Sequence, residues 1–323
     1  MSQQSKDLAY YCKKFTNLRV NRHKDRGFAP HKPILLLSVL ELITQGKIRD
    51  NKIYLTTELV STFQKYWSHI GSAYHTSSMN LPFFHLRGDK FWYLKAKFNL
   101  DSVVKNMKSP SLKALDEVID YAYLDNELFT LINKPEERLI LQKILIDTWF
   151  AEKQEEISQL FDIDAFEEVQ NKLKESGGSI YDPEELDTED KVIIRDDAFR
   201  KVLISIYDYK CAFCGIRIID KNSKNTVDGS HIKPFYIFHD DRICNGLSLC
   251  KNHHWAFDQG WFSVDENYKI IVDYSIEEIT PNNRSIKEFE GEQLILPNQT
   301  FYYPSKECLK WHFENTFKKI KNN

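Results

Sequence analysis

Three cysteines and a histidine in the last third of the chain have the spacing of a metal knuckle. Cys211 and Cys214 form one C-x₂-C pair in CAFCG, and Cys250 and His253 form a second pair at the same spacing in CKNH. Thiolates and an imidazole brought together in this way make a tetrahedral Cys₃His set suited to Zn²⁺, and closing that set would help fold a module with few regular elements of its own. Cys244 is a competing thiol that lacks a partner at knuckle spacing, while Cys12 and Cys308 stand alone. Between the two pairs lie DGSHIKP, residues 228–234, and Asn245-Gly246-Leu247, and His254 follows the second pair directly. Successive side chains on a helix diverge by about 100°. His253 and His254 are therefore expected to serve two cations, one structural and one chemical.

The order histidine, asparagine, histidine, interleaved with a knuckle in CAFCG, DGSHIKP and DDRICNGLSLCKNHHWAFDQG, resembles the HNH endonucleases and their ββα-metal fold over about residues 195–265. The resemblance implies that His231, at the end of the motif's first strand, is the general base that deprotonates water, a task suited to an imidazole that titrates near neutrality. It also implies a divalent cation that stabilises charge on the scissile phosphate. His254 would be its ligand, and Asp228 would complete the shell, because Ser230 stands where many members carry an acid or a histidine just before the base. Mg²⁺, Mn²⁺ and Ni²⁺ each suit such a site of histidine, carboxylate and water. Asn245 would orient His231 through a backbone or side-chain hydrogen bond. Asp240 and Asp241 read as loop or cap residues, and Asp258 has the better claim to support the site.

Elements that could position these groups are legible from periodicity and punctuation. Phe199 to Tyr207 reads as a helix ahead of the first knuckle, and the tail from Leu296 to His312 is expected to wrap the module. Upstream, Gly177, Gly178, Pro183 and a run of acids mark a linker. The expected division is therefore residues 1–175, an acidic linker at 176–190, and 191–323. Near the start, Pro33 suits a first helical turn, and Ile34 to Ile43 reads as a buried helix stopped near Gly46. Ile53-Tyr54-Leu55 and Phe91 to Leu94 look like short strands, Thr56 or Thr57 caps the helix between them, and helical periodicity dominates residues 111–175, as at Leu112, Leu115, Val118 and Ile119.

Composition narrows the class. A length of 323 residues suits two domains, and 42% hydrophobic with 28% charged residues is a globular balance. No stretch of 18 apolar residues offers a membrane span. The opening MSQQSKDLAYYCKKF lacks a secretory apolar core, so a cytoplasmic protein is expected, with its six cysteines as thiols or metal ligands. The net charge of −3 hides a gradient. The first hundred residues hold sixteen Lys and Arg against six Asp and Glu, the next hundred twelve against twenty-five, and the remainder sixteen of each. A basic segment of this kind is an electrostatic footprint for a polyanion.

Within that basic segment, GFAPHKPILLL at 27–37 and NLPFFHLR at 80–87, followed by Asp89 and Phe91-Trp92, look like the sulfur-binding domains of phosphorothioation-dependent type IV restriction endonucleases. The resemblance implies a pocket of proline and aromatic faces for the sulfur that replaces a phosphate oxygen, with cations on the neighbouring phosphates. Leu81, Pro82, Phe84 and His85 would line it, and His31, Lys32, Arg26 and Arg87 would contact the backbone. Leu81 stands where many members carry tyrosine. The expected fold class is thus α+β, a mixed, mainly helical DNA-reading domain followed by an HNH nuclease domain with a zinc knuckle. The expected partner is double-stranded DNA bearing phosphorothioates, with a homodimer to cut both strands. The alternatives are an HNH nuclease that reads a base sequence or a modified base, and a non-catalytic zinc module that only binds DNA.

Overall fold

The computed structural model describes residues 6–25, 27–161, 163–186, 188–220, 224–280 and 284–318. The chain forms two compact units, one made of Met1–Glu168 with Asp187–Ile194, the other of Val169–Leu186 with Arg195–Asn323. Among the described residues no helix is long and apolar enough to cross a membrane.

In the first unit, helices α1 (Leu8–Thr16), α2 (His31–Thr44), α3 (Thr57–Ile70) and α4 (Asn80–His85) precede an antiparallel hairpin of β1 (Trp92–Ala96) and β2 (Ile119–Leu124), and α5 (Pro135–Trp149) returns to the core. Helix α2 has no polar stripe. Ile34, Leu35, Leu36, Leu37 and Val39 are all buried, as expected for a helix surrounded on every side. Thr56 caps α3 by accepting from the Leu59 amide at 3.3 Å. That early cap leaves Ile53-Tyr54-Leu55 no length for the expected strand, and only a single bridge forms, Ile53 to Ala122. The helix expected through Ile119 ends at Val118. IDYAYL then turns to period two, burying Ala122 and Leu124 and pairing Tyr93 with Tyr123.

The second unit is organised on a hairpin whose strands are β3 (Val227–His231) and β4 (Gly246–Cys250). Helix α7 (Lys251–Asp258) follows β4 without a break, completing the ββα arrangement. Helix α6 (Glu189–Ile206) begins earlier than Phe199 and belongs to this unit from Arg195 onward. It lies flat on the hairpin because glycine clears its path. A Cβ at Gly246 would meet Leu203 at 2.6 Å and Phe199 at 2.9 Å, and one at Gly229 would meet the Arg200 Cα at 2.9 Å. The first part of the segment expected as a linker, residues 177–181, is hydrogen-bonded within this unit, and its last part belongs to the first unit. The Gly177 and Ser179 carbonyls accept from the Ile243 and Asp241 amides at 2.8 and 3.0 Å, and the Tyr181 amide donates to the His239 carbonyl at 2.9 Å. A second hairpin of β5 (Phe262–Val264) and β6 (Ile270–Val272) and the tail helix α8 (Lys306–His312) close the core. His312 stacks on Phe257 at 3.6 Å, its Nε2 donates to the Phe257 carbonyl and its Nδ1 accepts from Ser263.

Burial of Asp190 in the first unit generates a test. The carboxylate is 2% exposed and accepts from Gln64 Nε2 at 2.5 Å and the Met79 amide at 3.2 Å, yet burial outweighs both and pushes its pKa up to about 6. The folded state therefore holds this proton more tightly than the unfolded chain, and stability falls as pH rises from about 4 through about 6. The cost at neutral pH is on the order of 3 kcal/mol. Asp190→Asn is expected to raise the urea midpoint at pH 7.5 and to raise it only about a third as much at pH 4.5. A lower midpoint at pH 7.5 would show that the charge is compensated.

Candidate active site and metal centre

The knuckle closes as its spacing predicted. Gly215 in the left-handed region (φ +74°) lets its amide donate back to the Cys211 carbonyl at 2.9 Å, while the Cys211 amide donates to the Ile216 carbonyl. Cys250 is the N-cap of α7, which sets His253 in its first turn. The donor atoms of Cys211, Cys214, Cys250 and His253 all lie within 4.8 Å of one another, and the ring atom that faces the sulfurs is His253 Nδ1, 3.1 Å from Cys250 Sγ. This is the only such cluster of potential ligands among the described residues. Three sulfurs and one imidazole nitrogen are a complete tetrahedral donor set, so the cluster can hold a metal ion. Contacts with Cys214 and Cys250 raise the Cys211 thiol, whereas the same contacts with Cys211 and Cys214 lower Cys250. Burial alone would lower His253, but the Cys214 and Cys250 sulfurs outweigh it and bring the ring to about 9.

One residue on, His254 points elsewhere, as the helical divergence requires. Its Nδ1 lies 3.6 Å from Asp228 Oδ2 and its Nε2 3.5 Å from Asp258 Oδ2. Asp228 raises His254, and His254 in turn lowers Asp228 despite burial; burial raises Asp258. Asp228, His254 and Asp258 thus form one group.

His231 belongs to a second group. Alternation along β3 turns Asp228 toward α7 and His231 toward α6. The ring lies parallel to Phe199, with centroids 4.1 Å apart and planes 6° apart, and its Nε2 is 2.7 Å from Asp241 Oδ1. Arg195 Nη1 stands 3.1 Å from Asp241 Oδ2. Asp241 and Arg195 were missed by sequence reasoning. A carboxylate in the DD pair was visible, but not which of the two buried acids would meet His231. Asp240 is instead clamped by Arg242, through Nε at 2.9 Å and Nη2 at 2.7 Å. Asn245 is wholly buried, and its side-chain hydrogen bonds go to the loop backbone and not to the His231 ring. Its Oδ1 accepts from the Lys233 amide at 2.8 Å, and its Nδ2 donates to the Lys233 and Asp240 carbonyls at 3.1 and 2.9 Å. Its own carbonyl accepts from the Ile232 amide, next to His231, at 2.8 Å.

In the first unit a cavity of about 490 Å³ gathers Leu81, Pro82, His85, His31 and Lys32, with Arg19 and His75 beside them. Phe84 does not line it. The ring is fully buried and carries Arg87 against its face at 3.8 Å. Arg87 likewise stays outside the cavity lining, and Arg26 lies outside the described residues. His31 is no exposed cation. Its Nε2 bonds to the Thr76 carbonyl at 2.9 Å, its ring packs on Trp67, and burial lowers its pKa. Lys32 is paired with Asp89 at 2.6 Å, both nearly buried. His85 is lowered by partial burial and by Lys32 and Arg87 nearby.

Residues 211–265 match the family model of the HNH endonucleases, and residues 9–162 match that of the ScoMcrA-like DNA sulfur-binding domain. The chain thus carries a sulfur-binding domain of that family ahead of an HNH endonuclease domain, and both resemblances read from the motifs are borne out. None of the curated proteins matches it. Among solved structures, a modification-dependent TagI restriction endonuclease is 21% identical over 38% of this chain and 38% of its own, with a TM-score of 0.28. The chain therefore spans well under half of that enzyme. The sulfur-binding domain of SprMcrA, complexed with phosphorothioated DNA, is 14% identical over 48% of this chain and 95% of its own (TM-score 0.36). The corresponding domain of ScoMcrA, also complexed with phosphorothioated DNA, is 20% identical over 47% and 94% (TM-score 0.35).

Asn245 yields a prediction independent of activity. Asn245→Ala strips partners from one buried amide and two carbonyls of the 232–245 loop and is expected to cost about 3 kcal/mol. Urea unfolding of the full chain measures it; a loss below about 1 kcal/mol would mean that water replaces these bonds.

Proposed function

We propose that this chain is a metal-dependent DNA endonuclease of a bacterial restriction system, probing DNA for phosphorothioates with its first domain and hydrolysing phosphodiester bonds with its second. The carrying observation is the split of adjacent histidines within the HNH match. His253 faces three sulfurs, while His254 is held between Asp228 and Asp258. That split supports a reading in which the knuckle holds Zn²⁺ as a structural ion and Asp228 and His254, with Asp258 in support, hold a divalent cation, Mg²⁺, Mn²⁺ or Ni²⁺. When bound, the second cation supplies charge stabilisation at the scissile phosphate. His231 takes a proton from water, and Asn245 holds the loop beside it. Placement of His231 and His254 in separate groups suits in-line displacement, in which attacking and leaving oxygens lie on opposite sides of phosphorus.

The cavity favours the sulfur reading through what it withholds. Leu81 and Pro82 are apolar, His31 and His85 are held toward the neutral form, and the Lys32 charge is met by Asp89. Such a surface repays a phosphate oxygen poorly for its lost hydration and costs a weakly hydrated sulfur less. Arg19, exposed beside the cavity, would hold a neighbouring phosphate. The chain would act in the cytoplasm, as a homodimer where both strands are cut.

Two measurements test this function. In competition binding, phosphorothioated DNA is expected to displace ordinary DNA of the same sequence, and equal binding would leave a base-sequence or modified-base reader. Arg19→Ala is expected to weaken both and to reduce the slope of log K against log salt by about 1. For the metals, the purified chain is expected to retain one zinc that Cys250→Ser removes together with thermal stability. His254→Ala should keep that zinc and lose Mg²⁺-, Mn²⁺- or Ni²⁺-stimulated cleavage. Undiminished cleavage would overturn the assignment of the second cation.

A further inference from the structure

We propose that Asp241 is the positioning residue of the hydrolytic histidine, with Arg195 as its counter-charge. The inference rests on the nuclease function proposed above and concerns how one face of the hairpin is built. Asp241 is 1% exposed, so its carboxylate has given up water and must be met by protein groups. Those groups are His231 Nε2 at 2.7 Å and Arg195 Nη1 at 3.1 Å. The neighbouring acid shows the contrast, since Asp240 is spent on a two-point clamp to Arg242 that shapes the loop.

A carboxylate oxygen only accepts, so the 2.7 Å contact places the ring proton on Nε2. The neutral ring then carries its lone pair on Nδ1, the atom left to act as base. Rotation of the ring is blocked on its flat side by Phe199. Phe235, 5.7 Å from the His231 ring, is in turn covered by the Arg195 guanidinium at 3.5 Å. Arg195 thereby serves twice. It walls the pocket, and it balances the Asp241 charge so that the pair does not repel an approaching phosphodiester. The backbone of Asp241 is pinned as well, by its amide donating to the Ser179 carbonyl at 3.0 Å. The acidic segment between the two family matches thus contributes a strut to the site.

In the hydrolytic step, Nδ1 accepts one proton of the attacking water while the new P–O bond forms and the P–O bond to the leaving oxygen breaks. The imidazolium keeps its Nε2–H on Asp241 as the positive charge develops. Nδ1 then releases its proton to solvent, and the leaving oxygen takes a proton from solvent, so the sum is one water and one phosphodiester consumed.

The test uses the full chain and three variants, Asp241→Asn, Asp241→Glu and His231→Ala, on one DNA substrate. Asparagine can present either an amide donor or a carbonyl to Nε2 and so no longer selects one tautomer. Single-turnover cleavage by Asp241→Asn is expected to fall by about 100-fold or more. Its Kd for DNA should stay within about twofold of the parent and its zinc content unchanged, whereas a merely structural role would move these together. Asp241→Glu is expected to recover part of the rate. The ¹⁵N shifts of His231 in the unmodified chain, followed up in pH until the ring carries one proton, should place that proton on Nε2. Cleavage by Asp241→Asn close to that of the parent, with His231→Ala inactive, would overturn this proposal and leave the nuclease function standing. Undiminished cleavage by His231→Ala would overturn both. Should Asp241→Asn fail to fold, the ¹⁵N spectrum of the parent decides alone, and a ring protonated at Nδ1 refutes the proposal.

Discussion

Antiparallel pairing of Val227–His231 with Gly246–Cys250 is the constraint on which the second unit depends. Its register sets Val227 opposite Cys250 and His231 opposite Gly246. The knuckle therefore grows from one end of the ladder and the proposed base from the other. A slip of one residue would turn Asp228 away from α7 and His231 away from α6, because strand side chains alternate with period two. The register is held by more than the ladder. Gly229 admits the backbone of α6 at Arg200, and Gly246 admits the Phe199 and Leu203 side chains, each at distances that a Cβ would not tolerate. Cys250, last residue of the ladder, is at once a proposed metal donor and the N-cap of the helix bearing His253 and His254. One strand end thus sets the angle of both proposed metal groups.

Three acids of this protein are paired out of sight. Glu41 lies inside the first core, where Lys65 and Tyr66 meet it at 2.7 and 2.6 Å. Asp89 takes the Lys32 ammonium and the Arg19 amide, and Asp241 takes Arg195. Each buried acid ties together segments distant in sequence, and each would be costly if left without its partner. The consequence at the first domain runs against simple charge counting. The excess of Lys and Arg in the first hundred residues does not converge on the cavity, whose own lysine is neutralised. In the proposed function, attraction for a polyanion is left to exposed groups such as Arg19, and the cavity selects by hydration and size.

What could be read from the chain alone is what depends on short spacing. Two C-x₂-C-like pairs, the CAFCG turn with its glycine, the divergence of His253 from His254 and the continuous apolar run of α2 are local relations, fixed by the few torsions between neighbouring residues. They determined the knuckle, the pairing of histidines with two groups and both family resemblances. Less was legible where two local patterns compete, as at Ile119, where a helix gives way to a strand because its partner in β1 lies some 25 residues earlier.

Tertiary structure alone decided which polar side chains turn inward. Asp240 and Asp241 are adjacent and identical in type, yet one clamps an arginine of its own loop and the other meets His231 and Arg195 across the fold. Lys32 reads as a free cation until Asp89 is brought against it, and Phe84 reads as a pocket wall until α4 is wound and the ring turns to the core. The glycines and acids after residue 176 have the composition of a linker, but their carbonyls find the amides of Asp241 and Ile243. In each case the partner is remote in sequence. The energy that orients the group comes from desolvating it against that partner, a quantity that no local pattern contains.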